Sequence, residues 1–146
     1  MDIREIKGLA LGEQDYVIQM RREFHKHPEV SGKEWETRKR LIAEIVAMGI
    51  PYEGVPGTGL IAVIKGEKPG KNKVLRADID ALPMQEEREN LKREKECISQ
   101  TDGVCHACGH DAHMAILLGT MKLLCQMKVE LPGTVYCCFE EGEETN

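Results

Sequence analysis

Leu60-Ile61-Ala62-Val63-Ile64-Lys65-Gly66 is a short apolar run bounded by Gly59 and Gly66, and its reading decides the fold. A run this short, rich in β-branched residues and closed by glycine, predicts a buried strand. Gly57 and Gly59 come before the strand, so they are not a dinucleotide fingerprint, whose glycines lie between a strand and a helix. Downstream, Lys68-Pro69-Gly70-Lys71-Asn72 is a polar turn and Lys73 to about Ile79 a second strand, expected to pair back on the first. Thr134 to Phe139 is a third β-prone run.

Helical patterns surround these strands. Val17, Met20 and Phe24 recur at helical spacing from Asp15 to about His27, where Pro28 stops the pattern. Ser31 and Glu34 have the form of a capping box, followed by the stripe Trp35, Leu41, Ile42, Ile45 and Val46 up to Met48-Gly49. Ala112 to about Met127 carries Met114, Leu117, Leu118, Met121, Leu124 and Cys125 at spacings of three and four. The segment from about Gln85 to Asp102 is crowded with charge and lacks sustained apolar periodicity, so an exposed loop or frayed helix is expected. Alternating strands and helices without internal repeats predict an α/β layered domain.

Composition narrows the function classes. The chain has 146 residues, 41% hydrophobic and 31% charged, which fits a folded domain or part of one and excludes a disordered chain. Its 20 basic and 25 acidic residues leave a net charge of −5, so there is no basic footprint for nucleic acid or an anionic membrane. No stretch approaches the roughly 20 apolar residues of a membrane span. The charged start Met1-Asp2-Ile3-Arg4-Glu5-Ile6-Lys7 lacks the apolar core of a signal peptide, so a cytoplasmic location is expected. In that compartment the six cysteines are core residues, metal ligands or redox groups rather than a disulfide framework. The chain stops a few residues after a strand, before any helix that would cover it, so further sequence is expected downstream.

Chemistry concentrates at Cys105-His106-Ala107-Cys108-Gly109-His110-Asp111-Ala112-His113, where two thiols, three imidazoles and a carboxylate fall within nine positions. Thiolate and neutral imidazole are the ligands that hold zinc and similar divalent ions. Cys108 and His110 precede a helix, whose N-terminus should favour a thiolate, and both can face one ion. Two other readings use Cys105 with Cys108: a thiol redox pair, and half of a structural zinc knuckle, for which Cys137-Cys138 has the wrong spacing. Cys97, Cys125, Cys137 and Cys138 read as small core residues. Asp78 and Asp80 end an apolar strand on the same side of it, where α/β sheets place their sites, although a plain turn before Pro83 reads equally well. Glu140, Glu141, Glu143 and Glu144 would repel one another, a cost that a bound cation removes. Spacing alone leaves either glutamate pair open as the functional one.

Four segments together resemble the metal-dependent amidohydrolases related to hippurate hydrolase, N-acyl-amino-acid amidohydrolases and the auxin-conjugate hydrolases. They are Phe24-His25-Lys26-His27-Pro28-Glu29, Gly57-Thr58-Gly59, the stretch from Leu75 to Glu86 containing Arg76-Ala77-Asp78-Ile79-Asp80-Ala81-Leu82-Pro83, and His106 to His113. The resemblance implies a layered α/β catalytic domain like that of the dinuclear zinc peptidases. Residues 1–146 would be its N-terminal part, without the inserted lid or dimerisation domain. It further implies two divalent ions (zinc, manganese, nickel or cobalt), an N-acyl amino acid or conjugate as substrate, and a homodimer for the whole protein. Carried over by position, Cys108 is the thiolate bridging the ions, His110 a ligand to one, and Asp80 a supporting carboxylate. The family's Phe-x-x-x-Glu-Glu pattern, anchored on Phe139, makes Glu143 the general base and Glu144 a metal ligand; here Glu140-Glu141-Gly142 stands where relatives often have Gln-Pro-Ala. Cys105 stands where many relatives carry Met. The family's further histidine ligands lie downstream, so the 146 residues alone are expected to bind metal weakly and to hydrolyse nothing at a useful rate.

Overall fold

The structure, a computed structural model, describes residues 2–145. Three strands and three helices follow the apolar patterning. β1 (Tyr52–Gly54), β2 (Leu60–Lys65), β3 (Lys73–Asp78) and β6 (Thr134–Glu140) form one sheet, in the order β1-β2-β6-β3. β1 runs antiparallel to β2 and β2 to β6, whereas β3 is parallel to β6. The expected pairing of β2 with β3 is therefore corrected: β6, the last strand in sequence, sits between them. The burial pattern explains why. β6 buries Val135, Cys137 and Phe139 in alternation and suits a central position, while Lys73, Val74 and Arg76 leave β3 exposed along most of its length, as an edge strand tolerates. A parallel pair needs a long crossover. The 17-residue helix α4 (His110–Gln126) lies in the connection between β3 and β6.

Helices α2 (Gln14–Lys26), α3 (Trp35–Ala47) and α4 join the sheet in one apolar core that includes Phe24, Leu41, Ile45, Leu60, Met114, Leu118 and Phe139. Leu118 is fully buried there. Leu118→Ala is expected to cost about 2–5 kcal/mol, measurable as a lower urea midpoint. The α3 stripe is narrower than the sequence suggests, since Trp35 and Val46 are exposed.

Several local features differ from expectation. α1 (Ile3–Gly12) precedes α2 and is capped by Asp2, whose box partner is Glu5. It buries no residue, so it carries little of the periodic signal that identifies a helix. Ser31 does not cap α3; Glu34 occupies the cap position without a side-chain cap bond, and both side chains turn to partners outside the helix. The charged 85–102 segment is largely exposed as expected but contains a small hairpin, β4 (Glu89–Asn90) with β5 (Arg93–Glu94). Its turn holds Leu91 and Lys92 at φ of 49° and 63°, the backbone of a tight hairpin made without the Asn-Gly pair that usually announces it. No helix among the described residues is long and apolar enough to cross a membrane.

Candidate metal centre

Because β3 and β6 are parallel, their C-terminal ends meet, with Asp78 opposite Glu140 in register. Asp80 lies just beyond β3, and Glu143 and Glu144 stand in a single 3-10 turn just beyond β6. The N-terminus of α4 arrives at the same edge. Gly109 takes the left-handed conformation, φ 86°, which lets the chain turn sharply between Cys108 and His110, the first residue of α4.

His110 is buried and forms the hub. Its Nδ1 lies 2.9 Å from the Asp80 carbonyl oxygen and 3.2 Å from Asp80 Oδ1. Both are acceptors, so Nδ1 donates and Nε2 is the nitrogen left to face a ligand. Around Nε2 stand Glu143 Oε2 at 3.8 Å, Glu144 Oε1 at 3.8 Å and Asp78 Oδ2 at 3.9 Å. These separations are too long for hydrogen bonds and lie within the reach of two atoms that close slightly on one ion held at about 2.0–2.2 Å from each. The donors fall into two triads, His110 with Glu143 and Glu144, and His110 with Asp78 and His113. Glu144 Oε1 is buried and has no hydrogen-bond partner among the described residues. An orphaned buried acceptor costs about 1–3 kcal/mol, so a cation fits these residues.

Asp80 braces the centre. Fully buried, it accepts hydrogen bonds at Oδ2 from Ser31 Oγ at 2.6 Å and from the Glu144 amide at 2.9 Å. Burial alone would raise its pKa, but the bonds from Ser31 and the Glu144 amide hold the carboxyl below its ordinary range. One carboxylate thus joins α4, the turn after β6 and the loop before α3.

The other glutamates are committed elsewhere. Glu141 accepts from the Thr58 and Gly59 amides and from Thr58 Oγ1, and these bonds keep its pKa low against the opposing effect of burial. Glu34 is fully buried, accepting from Thr58 Oγ1 at 2.7 Å and from the Gly142 amide at 3.1 Å. Glu140 ends β6, 3.4 Å from Arg76 Nε. Among the four glutamates, only Glu143 and Glu144 join His110 in a donor group.

Cys108 lies at the surface and belongs to neither triad. The neighbouring Glu144 carboxylate pushes its thiol pKa up, and desolvation and the Glu143 and Asp80 charges push the same way. The expected thiolate at the helix N-terminus is thus outweighed by neighbouring carboxylates. A coordinated dication would reverse that balance. Cys105 is buried, and burial raises its thiol pKa as well. Cys137 is core and the half-buried Cys125 packs against the core, as the core reading expects. Cys138 is half-buried outside that cluster, and Cys97 lines a surface cavity, with its Sγ 3.5 Å from the Arg22 carbonyl.

Behind the metal loop lies a second polar layer. His25 bridges Asp111 Oδ2 from Nδ1 at 2.7 Å and Glu86 Oε1 from Nε2 at 3.0 Å, and Arg21 Nε reaches Asp111 Oδ2 at 2.9 Å. Two carboxylate acceptors suit a doubly protonated imidazole. The bond to Asp111 raises the His25 pKa, burial opposes, and Glu86 adds to the rise. This contribution to stability is therefore complete below the ordinary histidine value of 6.5 and is lost as pH climbs through the raised folded value. We expect the stability gap between the parent chain and His25→Gln to shrink above pH 6.5 in urea melts across pH. The layer borders a cavity of about 630 Å³ lined by Arg21, Glu86, Lys95, Cys105 and His106 among others. His106 is buried with neither ring nitrogen hydrogen-bonded among the described residues, and desolvation lowers its pKa to about 4.

Sequence reasoning named Cys108, His110, Glu143, Glu144 and Asp80. It missed the braces Ser31 and Glu34, whose capping-box spacing hid them, and it gave His113 no individual role.

An imidazole and carboxylates gathered where parallel strand ends meet a helix N-terminus define the layered α/β architecture of the metallopeptidase type. The chain belongs to peptidase family M20/M25/M40, whose model matches residues 74–146. It is similar to Thermostable carboxypeptidase 1 of Saccharolobus solfataricus, at 40% identity over 98% of this chain and 34% of that protein. It is 46% identical to N-acetylcysteine deacetylase of Bacillus subtilis over 88% of this chain and 33% of the relative. Among solved structures, the Bacillus subtilis YXEP protein, described as a dinuclear metal binding peptidase from the M20 family, matches with a TM-score of 0.81 and 42% identity over 94% of this chain and 37% of that one. The chain spans about a third of the length of the curated relatives it matches.

Proposed function

We propose that the protein to which this chain belongs hydrolyses the amide bond of N-acyl amino acids or related conjugates with the help of two divalent ions, zinc, manganese, nickel or cobalt. The observation that carries the reading is the convergence of His110 Nε2 with Glu143 and the orphaned Glu144 Oε1 at one edge of the sheet. Cys108, His110 and Glu144 would hold the ions, completed by ligands outside the chain. When bound, the ions supply Lewis-acid activation of water and of the amide carbonyl. Glu143, the more exposed of the glutamate pair, takes the proton of the attacking water on its carboxylate and delivers it to the leaving amine nitrogen. Asp80 keeps the His110 proton on Nδ1 and holds the Glu144 backbone in place.

The substrate class draws on the names of the relatives, since an N-acetylated amino acid and a carboxypeptidase substrate both join an acyl group to an amino acid. A cytoplasmic location and a homodimer of the whole protein belong to the same proposal. A protein completed to the length of its relatives should bind two ions per chain, lose activity to a chelator and cleave N-acetyl amino acids. One ion per chain with no turnover would favour the rival reading, a metal or thiol module built on Cys105 and Cys108. The 146-residue chain alone should bind metal weakly and show no cleavage of N-acetyl amino acids in an amine-release assay; measurable turnover would overturn that part.

A further inference from the structure

We infer that Asp78 and His113 form a further divalent-cation site on the β3 side of His110, which draws on the same Nε2 atom as the Glu143 and Glu144 triad and so excludes an ion from it. The first support is geometric. Asp78 Oδ2 lies 3.4 Å from His113 Nδ1 and 3.9 Å from His110 Nε2, within the spread of two donors around one ion held at about 2.0–2.2 Å. His110 and His113 stand three residues apart on α4, their rings 5.2 Å apart and inclined by 29°, so both present an edge to the same carboxylate.

Orientation is the second support. Arg76 Nε donates to Asp78 Oδ1 at 2.8 Å, which fixes the carboxylate and leaves Oδ2 aimed at the two rings. Because Nδ1 is engaged with Asp80, Nε2 is the His110 nitrogen left to ligate an ion. Access is the third: His113 is half exposed, so an ion can enter without disturbing the core. Two imidazoles and one carboxylate suit zinc, cobalt or nickel better than calcium or magnesium.

The consequence follows from valence, since one imidazole nitrogen has one lone pair. An ion seated between Asp78 and His113 takes Nε2 away from the Glu143 and Glu144 side. An ion in this seat would thereby take His110 from the hydrolytic centre, a consequence that rests on the function proposed above. The Arg76 cation beside Asp78 makes this seat the weaker of the two. Because the seats exclude each other, its share is set by their relative affinities, and loss of the Cys108 ligand shifts that share toward it.

Cobalt(II) is the probe, because thiolate ligation produces a charge-transfer absorbance and a site of nitrogen and oxygen does not. The metal-free 146-residue chain and its Cys108→Ser variant are titrated with cobalt chloride up to millimolar concentration, with bound metal counted by equilibrium dialysis. Cys108→Ser is expected to retain a bound ion without the thiolate band. Adding His113→Ala, or separately Asp78→Asn, should weaken that ion's binding. An outer partner of a metal ligand is already worth about 10- to 100-fold in affinity, so loss of a direct ligand should cost at least as much. Cobalt bound equally well with and without His113 overturns the inference, as does a Cys108→Ser chain that takes up no cobalt. A parent chain with no thiolate band would instead count against Cys108 as a ligand in the proposed function, and leaves this test standing.

Discussion

Glu143→Gln, made in a chain completed to the length of its relatives, is expected to lose about 100- to 10,000-fold in kcat while its metal content is unchanged. Glutamine keeps the shape of the side chain and its place in the turn after β6 but cannot accept the proton of an attacking water. Position supports the role. Glu143 Oε2 stands 3.8 Å from His110 Nε2 with 41% of its side chain exposed, whereas the Glu144 side chain is only 14% exposed. A proton carrier must reach the substrate, and a ligand need not. Elemental analysis beside steady-state kinetics separates the two roles. Turnover retained in the variant would move the base elsewhere, and Glu141, tied to Thr58 and Gly59, could take that place only by breaking those bonds.

Asp80→Ala should weaken zinc binding by about 10- to 100-fold, the usual worth of a partner that orients a metal-ligating histidine. The Asp80 side chain holds Ser31 Oγ, the Glu144 amide and His110 Nδ1 together, and it is fully buried. Removing it leaves the Glu144 amide without that acceptor and frees the turn that presents both glutamates. We also expect a stability loss of about 1–3 kcal/mol from the unpaired donor, read from urea unfolding. Competition against a chelating dye measures the affinity. Unchanged zinc affinity would mean that the Asp80 carbonyl alone, 2.9 Å from Nδ1, suffices to orient the ring.

Much of the centre is legible in the sequence because its donors are chemically unusual and close together. His110 stands two residues from Cys108, and a thiol beside an imidazole carries a metal signal wherever the chain runs, although the structure leaves Cys108 outside both donor triads. Glu143 and Glu144 were distinguishable from Glu140 and Glu141 only by counting from Phe139 in a resemblance, since four carboxylates in five positions look alike. The structure adds a spatial difference between the pairs: one approaches Nε2, while the other is taken up by Arg76 and the Thr58 loop. Asp78 and His113 are harder to see as partners, because they stand 35 positions apart in the chain.

The sequence by itself determined β2, β3, β6 and the helices α2, α3 and α4, and it named candidate ligands by their chemistry. Periods of two and of three to four residues record which face of β2, β6, α2 and α4 meets the core, and that record needs no knowledge of partners. Only the tertiary structure decided that β6 enters between β2 and β3, that Ser31 serves Asp80 rather than α3, and that His110 Nε2 is shared by two sets of donors. Those outcomes depend on distances between chain segments tens of residues apart, set when the whole core packs, and no local pattern encodes them.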